Sequence, residues 1–485
     1  MVRSGNSKNI IKDVLWYSLG TIIPILVSLL RTPIFTRYFT AQEYGTYGLV
    51  FISLSIFSVF VYTWLANSIW RFYFKFKKLN KLDVFYTNLI AIFLISSVLF
   101  SILVGIWIII SQNTPVNQLV ILIFFQTFTS QLVSFLLILF RLENKSGLYT
   151  TVHSFRAIIS FSIQCLITFV MGMRIEAIPI ATIIAEFLIM AFLIKPIRKL
   201  VHIKPALISR RIICYIFSYF VPGIVSNIST LLLTLSDRYI IKLFGTDSEV
   251  GIYNQIYNFG QISIVALISI FFAVINPEFL NILEQKPEKT KDILIKYHLI
   301  YLLFILPFVA FMSIYAEPIT SILFGKEFRV GYTMIPFIVF SYYLNGLISF
   351  RDTKFKFENR YRIVIIGFTL ATILNIALNF ILIPIYGYQM AALTTLLAYL
   401  FLFFYYQFYD KVLLLHNKKF RNTLIIITAI LLLLTGIHFS IHQLFSFKSG
   451  LIYFLVEGTA FVVLYAGVLY IFFRKTVTEL IKKED

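Results

Sequence analysis

The chain has 485 residues, 59% of them hydrophobic and only 13% charged, with a formal net charge of +20. Soluble globular chains are about a quarter charged, so this composition excludes an ordinary soluble domain, and no hydrophilic block is long enough to be one. Runs of about 20 apolar residues recur from end to end, which is the pattern of membrane-spanning helices.

The basic excess does not point to nucleic acid. The charges sit in short loops between apolar runs, where positive-inside bias and attraction to anionic lipid account for them. Cys165 and Cys214 have no CxxC neighbour, the six histidines are scattered without an HExxH, and neither a Walker lysine motif nor GxSxG occurs. No metal, cofactor or catalytic residue is therefore expected. The N-terminal basic residues precede an apolar stretch too long for a signal-peptide core, and it carries Pro24 and Arg31. It is read as a retained first span.

Fourteen spans are predicted: 14–36, 47–69, 85–110, 119–140, 149–171, 177–195, 213–241, 252–275, 297–316, 332–350, 363–384, 389–409, 422–439 and 451–473. They are taken as helices because an open sheet edge cannot sit in lipid. With a cytoplasmic N-terminus, 33 of the 42 Lys and Arg residues fall in inner segments and six in outer ones. Arg31, Arg156 and Arg238 remain inside spans. Losing one helix would destroy that alternation, so it supports fourteen crossings with both termini cytoplasmic.

The scheme is then an N-terminal six-helix bundle over 1–195 and a basic cytoplasmic linker over 196–212. A C-terminal six-helix bundle over 213–410 follows, and an extra helix pair with a cytoplasmic tail over 411–485. The two bundles are related by an ungapped internal repeat. Thr40, Glu43, Gly45 and Tyr47 match Thr246, Glu249, Gly251 and Tyr253, always 206 positions on. The same shift sets Arg31 opposite Asp237. Six crossings return the chain to the same side, so this is a parallel repeat, with substrate expected between the halves.

In span 1, Tyr17, Thr21, Pro24, Ser28 and Arg31 step by four and three along one helix face. Span 7 repeats the arrangement with Pro222, Ser226, Thr230, Thr234 and Asp237, followed by Arg238. A charge at mid-bilayer costs about 2.5–3.5 kcal/mol on insertion scales, so such residues must face partners or a wet cavity. Two readings stay open: both faces line one central cavity, or Arg31 and Asp237 pair to hold the halves together.

Span 5 adds His153, Arg156, Ser160 and Gln164 on one face, and span 6 adds Thr182 and Glu186. Arg156 and Glu186 are either a structural pair or part of an anion path with cations at two depths. The second half is rich in amides: Asn254, Asn258 and Gln261 in span 8, Ser341, Asn345 and Ser349 in span 10, Asn375 and Asn379 in span 11. Amides and hydroxyls suit sugar hydroxyls, and they also glue helices together. Asp237, Glu186 and the isolated Glu457 of span 14 are the carboxylates that could take a coupling proton or sodium ion. Trp16, Tyr38, Tyr47, Trp64 and Trp70 fall near span ends, as interface anchors do.

The opening DVLWYSLGTIIPILVSLLRTPIFTRYFTAQEYGTYGL, the mid-chain LSDRYIIKLFGTDSEVGIYN and the duplicated fourteen-span layout carry a resemblance. Over essentially its whole length the chain resembles the Wzx-like lipid-linked oligosaccharide flippases of the multidrug/oligosaccharidyl-lipid/polysaccharide exporter superfamily. The resemblance implies a transporter, not an enzyme, with a V-shaped cavity between two six-helix halves and alternating access. The implied cargo is an undecaprenyl-pyrophosphate-linked oligosaccharide of O-antigen, capsule or exopolysaccharide, moved from the cytoplasmic to the outer leaflet. Family members place functional basic residues in the cavity, and Arg31 and Arg238 are the matching candidates. Spans 13 and 14 resemble the family's additional pair, which borders a groove for the lipid tail. Membrane lipid is the surrounding partner, and polysaccharide polymerase and chain-length enzymes are the protein partners implied.

Three other functions compete. A peptidoglycan-precursor flippase would need nearly identical chemistry. A multidrug antiporter of the same superfamily has twelve spans, and its cationic drugs would want an acidic cavity. A membrane polysaccharide polymerase or ligase usually carries a large outer loop, whereas the longest outer segment here, Ala316–Gly331, is short.

Overall fold

The computed structural model describes residues 7–111, 113–143, 145–218, 220–410, 414–445 and 451–481. Within these, side chains are described except at 7–19, 21, 146, 200, 221–230, 277, 415, 437–439, 441–445, 451–453, 468 and 472–481. The fold is all-α, with no strand among the described residues. The first helices are α1 (Ser7–Phe35), α2 (Ala41–Ser58), α3 (Trp64–Lys78), α4 (Leu82–Ser111), α5 (Thr114–Leu142), α6 (Ser146–Phe169) and α7 (Ala177–Leu200). The short α8 (Arg210–Phe217) leads into α9 (Phe220–Phe244) and α10 (Asp247–Gln285). Then come α11 (Thr290–Ile314), α12 (Ala316–Leu323), α13 (Ile335–Phe357), α14 (Tyr361–Tyr386), α15 (Met390–Asp410), α16 (Lys418–Phe445) and α17 (Leu451–Ile481).

The predicted spans fall mainly on helix, with the seventh, 213–241, divided between α8 and α9. Twelve stretches of described residues are long and apolar enough to cross a bilayer, and Ile22–Phe35 of α1 is a shorter apolar helix. The predicted count of fourteen is thus approximate. The second span is longer than predicted: α2 and α3 run on through a π-helical turn at Val59–Thr63 as one rod, Ala41–Lys78. Such turns are frequent at functional sites.

The described chain packs as two compact units. The first comprises Met1–Arg31, Phe39–Lys242 and Thr246–Gly251, and the second Thr32–Tyr38, Leu243–Gly245 and Ile252–Asp485. In the first unit, α5 packs on α2, α4 and α7, and α6 lies against α7. Its core is aromatic, with Tyr62, Trp64, Phe85, Tyr86, Phe93 and Phe100 buried together.

The linker is not a loose tether. Asn88, fully buried on α4, donates to the Leu207 carbonyl at 2.9 Å and accepts from the Ser209 amide at 2.8 Å. Lys204 pairs with Asp83 at 2.7 Å. A buried amide must satisfy its donors and acceptor, and here it does so by holding the linker backbone on the bundle.

The sequence repeat has a physical explanation. Thr40 caps α2, accepting from the Glu43 amide at 3.2 Å while Glu43 reaches back to the Thr40 amide at 2.8 Å. Thr246 and Glu249 build the same reciprocal box at 3.3 and 2.7 Å. The two capped helix starts cross backbone to backbone. A Cβ on Gly45 would stand 1.8 Å from the Asp247 carbonyl oxygen, and one on Gly251 1.9 Å from the Ala41 carbonyl oxygen. No side chain fits in either place, so both repeats need glycine where small residues let helices touch.

The second unit is built on α13, packed against α11 and α15, with α14 on α15. α16 and α17 pack on α11, where Tyr465 donates to the Leu303 carbonyl at 2.7 Å. Two polar networks lie inside. Asp410 is shared by Arg351 at 3.3 Å and by Lys354, with Arg351 and Asp410 fully buried. Asn375 and Asn379 bond to each other at 3.2 Å and to Thr394 across α14 and α15 at 3.3 and 2.5 Å.

Candidate functional site

The first unit encloses a polar cavity of about 430 Å³, within the usual size range of ligand pockets. Five helices line it. Pro24, Ser28 and Arg31 come from α1, Ser55 and Ser58 from α2, and Gln126, Ser130 and Gln131 from α5. His153, Arg156 and Ser160 come from α6, and Thr182 from α7. The spacing explains the convergence: 24, 28 and 31 share a face of α1, and 153, 156 and 160 share one of α6.

Pro24 does local work. It has no N–H to give to the carbonyl four residues earlier, so the Gly20 oxygen is freed, and His153 Nδ1 sits 3.0 Å from it. That bond requires a proton on Nδ1 and leaves Nε2 as an acceptor in the neutral ring. Gly20 lets α1 and α6 approach closely, since a Cβ there would lie 3.1 Å from Thr150 Oγ1.

The two cations of the cavity are held differently. Arg156 forms an ion pair with Glu186, which is fully buried and also accepts from Ser130 at 2.8 Å. Arg31 donates from Nη2 to Ser160 Oγ at 2.9 Å, and Ser160 lies 3.4 Å from the Thr182 hydroxyl. Among the described residues Arg31 has no carboxylate partner, and its Nε has no acceptor. With Arg156 and Glu186 cancelling, the wall carries one uncompensated positive charge. An anion is the ligand such a wall attracts most strongly, and the hydroxyls and amides around it can hydrogen-bond a polyol.

The remaining sequence candidates sit elsewhere. Arg238 and Asp237 are completely buried, 3.4 Å apart on α9, and Arg238 also donates to the Thr234 carbonyl. Neither lines the cavity, and Thr234 turns its hydroxyl to the Leu231 carbonyl at 3.1 Å. Asn375 belongs to the α14–α15 network. Asn258 and Asn345 are half-buried on α10 and α13. Glu457 is half-buried, and its carbonyl accepts from Tyr315 at 3.5 Å. The side chains of Tyr17, Thr21, Pro222, Ser226 and Thr230 lie outside the described residues. The helix pair that reads as Arg156–Glu186 in sequence is a direct pair in the fold. Sequence reasoning passed over Ser55, Ser58, Gln126, Ser130 and Gln131; the signal was the polar run from Gln126 to Gln131 inside an otherwise apolar span.

Residues 10–283, more than half of the chain, match the family of polysaccharide biosynthesis proteins. The chain belongs to that family. Its fold is shared with solved membrane transporters. The lipid II flippase MurJ, in an inward closed conformation, superposes with a TM-score of 0.73 over 96% of this chain and 100% of its own, at 15% identity. An inward-facing MATE multidrug resistance transporter of the MOP superfamily gives 0.60 over 82% and 96%, at 14% identity. The bent form of the MATE transporter VcmN from Vibrio cholerae gives 0.55 over 86% and 98%, at 12% identity. At these identities the likeness establishes the fold alone. No curated protein matches the sequence. The resemblance read from the opening and mid-chain motifs is borne out at the level of the family, and the transporter fold with it.

Proposed function

We propose that this polysaccharide biosynthesis protein is a flippase for a polyprenyl-pyrophosphate-linked oligosaccharide, working by alternating access in the cytoplasmic membrane. The observation that carries this reading is the uncompensated Arg31 on the wall of a hydroxyl- and amide-lined cavity inside a membrane-spanning unit. A pyrophosphate needs a cation, a sugar needs hydrogen-bonding partners, and a prenyl tail can stay in lipid. Loop charges support cytoplasmic termini, and cargo then moves from the inner to the outer leaflet. If the dianion crosses unneutralised, an inside-negative potential favours export by about 2.3 kcal/mol per charge per 100 mV.

In this mechanism Arg31 is the receptor for the pyrophosphate, oriented by Ser160. Arg156, held by Glu186, supplies a second cation at another depth without adding net charge. A positive wall disfavours cationic drugs. The likeness to MurJ keeps a peptidoglycan precursor as the second reading, because its pyrophosphate–sugar head would meet the same wall.

A deletion strain tests both. Mass spectrometry of its lipids should show an accumulated lipid-linked oligosaccharide in the inner leaflet, whose sugars name the pathway. Complementation with Arg31→Ala, present at normal abundance, should leave at least about a tenfold deficit in export, since 1.4 kcal/mol of lost binding is tenfold. Absence of any accumulated lipid-linked glycan would overturn the proposal, and wild-type export by Arg31→Ala would remove Arg31 from the mechanism.

A further inference from the structure

An apolar groove of about 190 Å³ runs along the α6–α7 pair. Val152, Phe155 and Ile159 of α6 line it with Leu188, Ile189 and Phe192 of α7, and Thr151 is the one polar residue on its wall among the described residues. Val152 and Ile189 form a buried floor, packed with Val133 and Leu137 of α5. Phe155, Leu188 and Phe192 form the rims and are more than half exposed. The polar cavity uses a different face of α6, through His153, Arg156 and Ser160, so the closed floor keeps the groove apart from it.

Position and charge together define what fits this groove. It lies within two stretches long and apolar enough to cross a bilayer, Gly147–Phe169 and Ala177–Lys199. No water is available in the bilayer core, and an unfilled hollow forfeits dispersion contacts along its lining, so hydrocarbon is the material that fits. From Thr151 to Ile159 the groove follows about 12 Å of helix, a length that a single acyl chain can track. Its mouth is cationic. Leu188, Phe192, Lys195 and Lys199 step by four, three and four and so share one face of α7. Lys195 lies about 4.5 Å of helix rise beyond Phe192. Both lysines are exposed, and neither has an ion-pair partner among the described residues.

We infer that the α6–α7 groove holds an acyl chain of an anionic phospholipid, with its head group on Lys195 and Lys199. Basic residues close to the membrane surface select such lipids electrostatically. With the cytoplasmic termini proposed above, the site lies in the inner leaflet. A prenyl-linked cargo carries the same combination of chain and phosphate, but the closed floor gives a head group at this mouth no route through the groove to Arg31, which favours a resident phospholipid. The lipid braces α6 against α7, the helices whose Arg156 and Glu186 pair at the cavity.

The test uses the full-length chain in nanodiscs with Phe192→Trp as reporter, read by tryptophan quenching after subtracting the response of the parent. The quenchers are phosphatidylglycerol and phosphatidylcholine with brominated acyl chains, at equal mole fraction. Ile184→Trp, on α7 but outside the groove, reports the bulk lipid shell. At Phe192→Trp, phosphatidylglycerol should be preferred at least about fivefold, the share of one basic residue near the surface, with no such preference at Ile184→Trp. Lys195→Gln with Lys199→Gln should erase the preference, and Lys195→Arg with Lys199→Arg should keep it. Equal quenching by the two lipids would reduce the groove to part of the bulk shell and overturn the site, and a preference that survives the double glutamine variant would overturn the role of the lysines and the site with it. Two further results would also overturn it. Absence of quenching by either lipid would mean that a second copy of the chain covers the groove. Displacement by undecaprenyl phosphate at a far lower mole fraction than by unbrominated phosphatidylglycerol would make it a cargo site. None of these readings needs cargo export, so the lipid site and the flippase reading fail separately.

Discussion

Arg31 and Arg351 both sit within apolar helices, and the fold treats them in opposite ways. Arg351 is sealed in the second unit, 1% exposed, with Asp410 shared between it and Lys354. Arg31 faces a cavity, bonds only to a neutral hydroxyl among described partners, and keeps its charge uncompensated. Removing a charge from water costs several kcal/mol unless an opposite charge restores it. Arg351 satisfies that condition by packing, and Arg31 by staying at a polar, open surface. The difference teaches that an arginine in a spanning segment is a structural pin when it meets a carboxylate and a candidate receptor when it does not. Arg238, buried against Asp237, belongs with Arg351 by this criterion.

The largest expected effect comes from breaking the sealed pair. Asp410→Ala strands Arg351 and Lys354 and should destabilise the second unit by about 3–5 kcal/mol. Thermal unfolding in detergent and membrane abundance would both fall; an unchanged midpoint would mean that the buried pair is not holding α13 to α15. Gly251→Val comes next. Its side chain would enter the space of the Ala41 carbonyl, and overpacking of this kind costs about 1–3 kcal/mol. Gly105→Val, where a Cβ would meet nothing within 4 Å, is the control. Equal stability of the two variants would show that the capped helix starts can separate at no cost.

The smallest effect sharpens the Arg31 side of the comparison. Ser160→Ala removes the hydroxyl that orients the guanidinium. One hydrogen bond to a charged group is worth about 1.5–3 kcal/mol, and water in an open cavity should replace part of it. A severalfold loss of export with unchanged thermal stability is expected. A large loss of stability instead would place Ser160 with the packing residues.

Much of this was legible in the sequence. The spans show as apolar runs, and the 206-residue repeat marks both capping boxes, because Thr and Glu three apart have a local role. The glycine of that repeat was visible too, but not its reason, since backbone crossing at Gly45 and Gly251 is a contact between segments far apart in the chain. Arg31, Arg156 and Arg238 look alike as single cations among apolar residues. Only tertiary contacts separate a cavity wall from a sealed pair. Ser55, Ser58, Gln126 and Ser130 went unnoticed because hydroxyls and amides within a span serve equally well as helix glue.

The central claim is that Arg31 lends positive charge to a wet cavity. The direct measurement is the reactivity of Ser28→Cys, in a chain lacking Cys165 and Cys214, toward two thiosulfonate reagents of opposite charge. A single positive charge nearby should favour the anionic reagent at least about threefold, and Arg31→Gln should erase the preference. No labelling by either reagent, or a preference for the cationic one, would contradict the account.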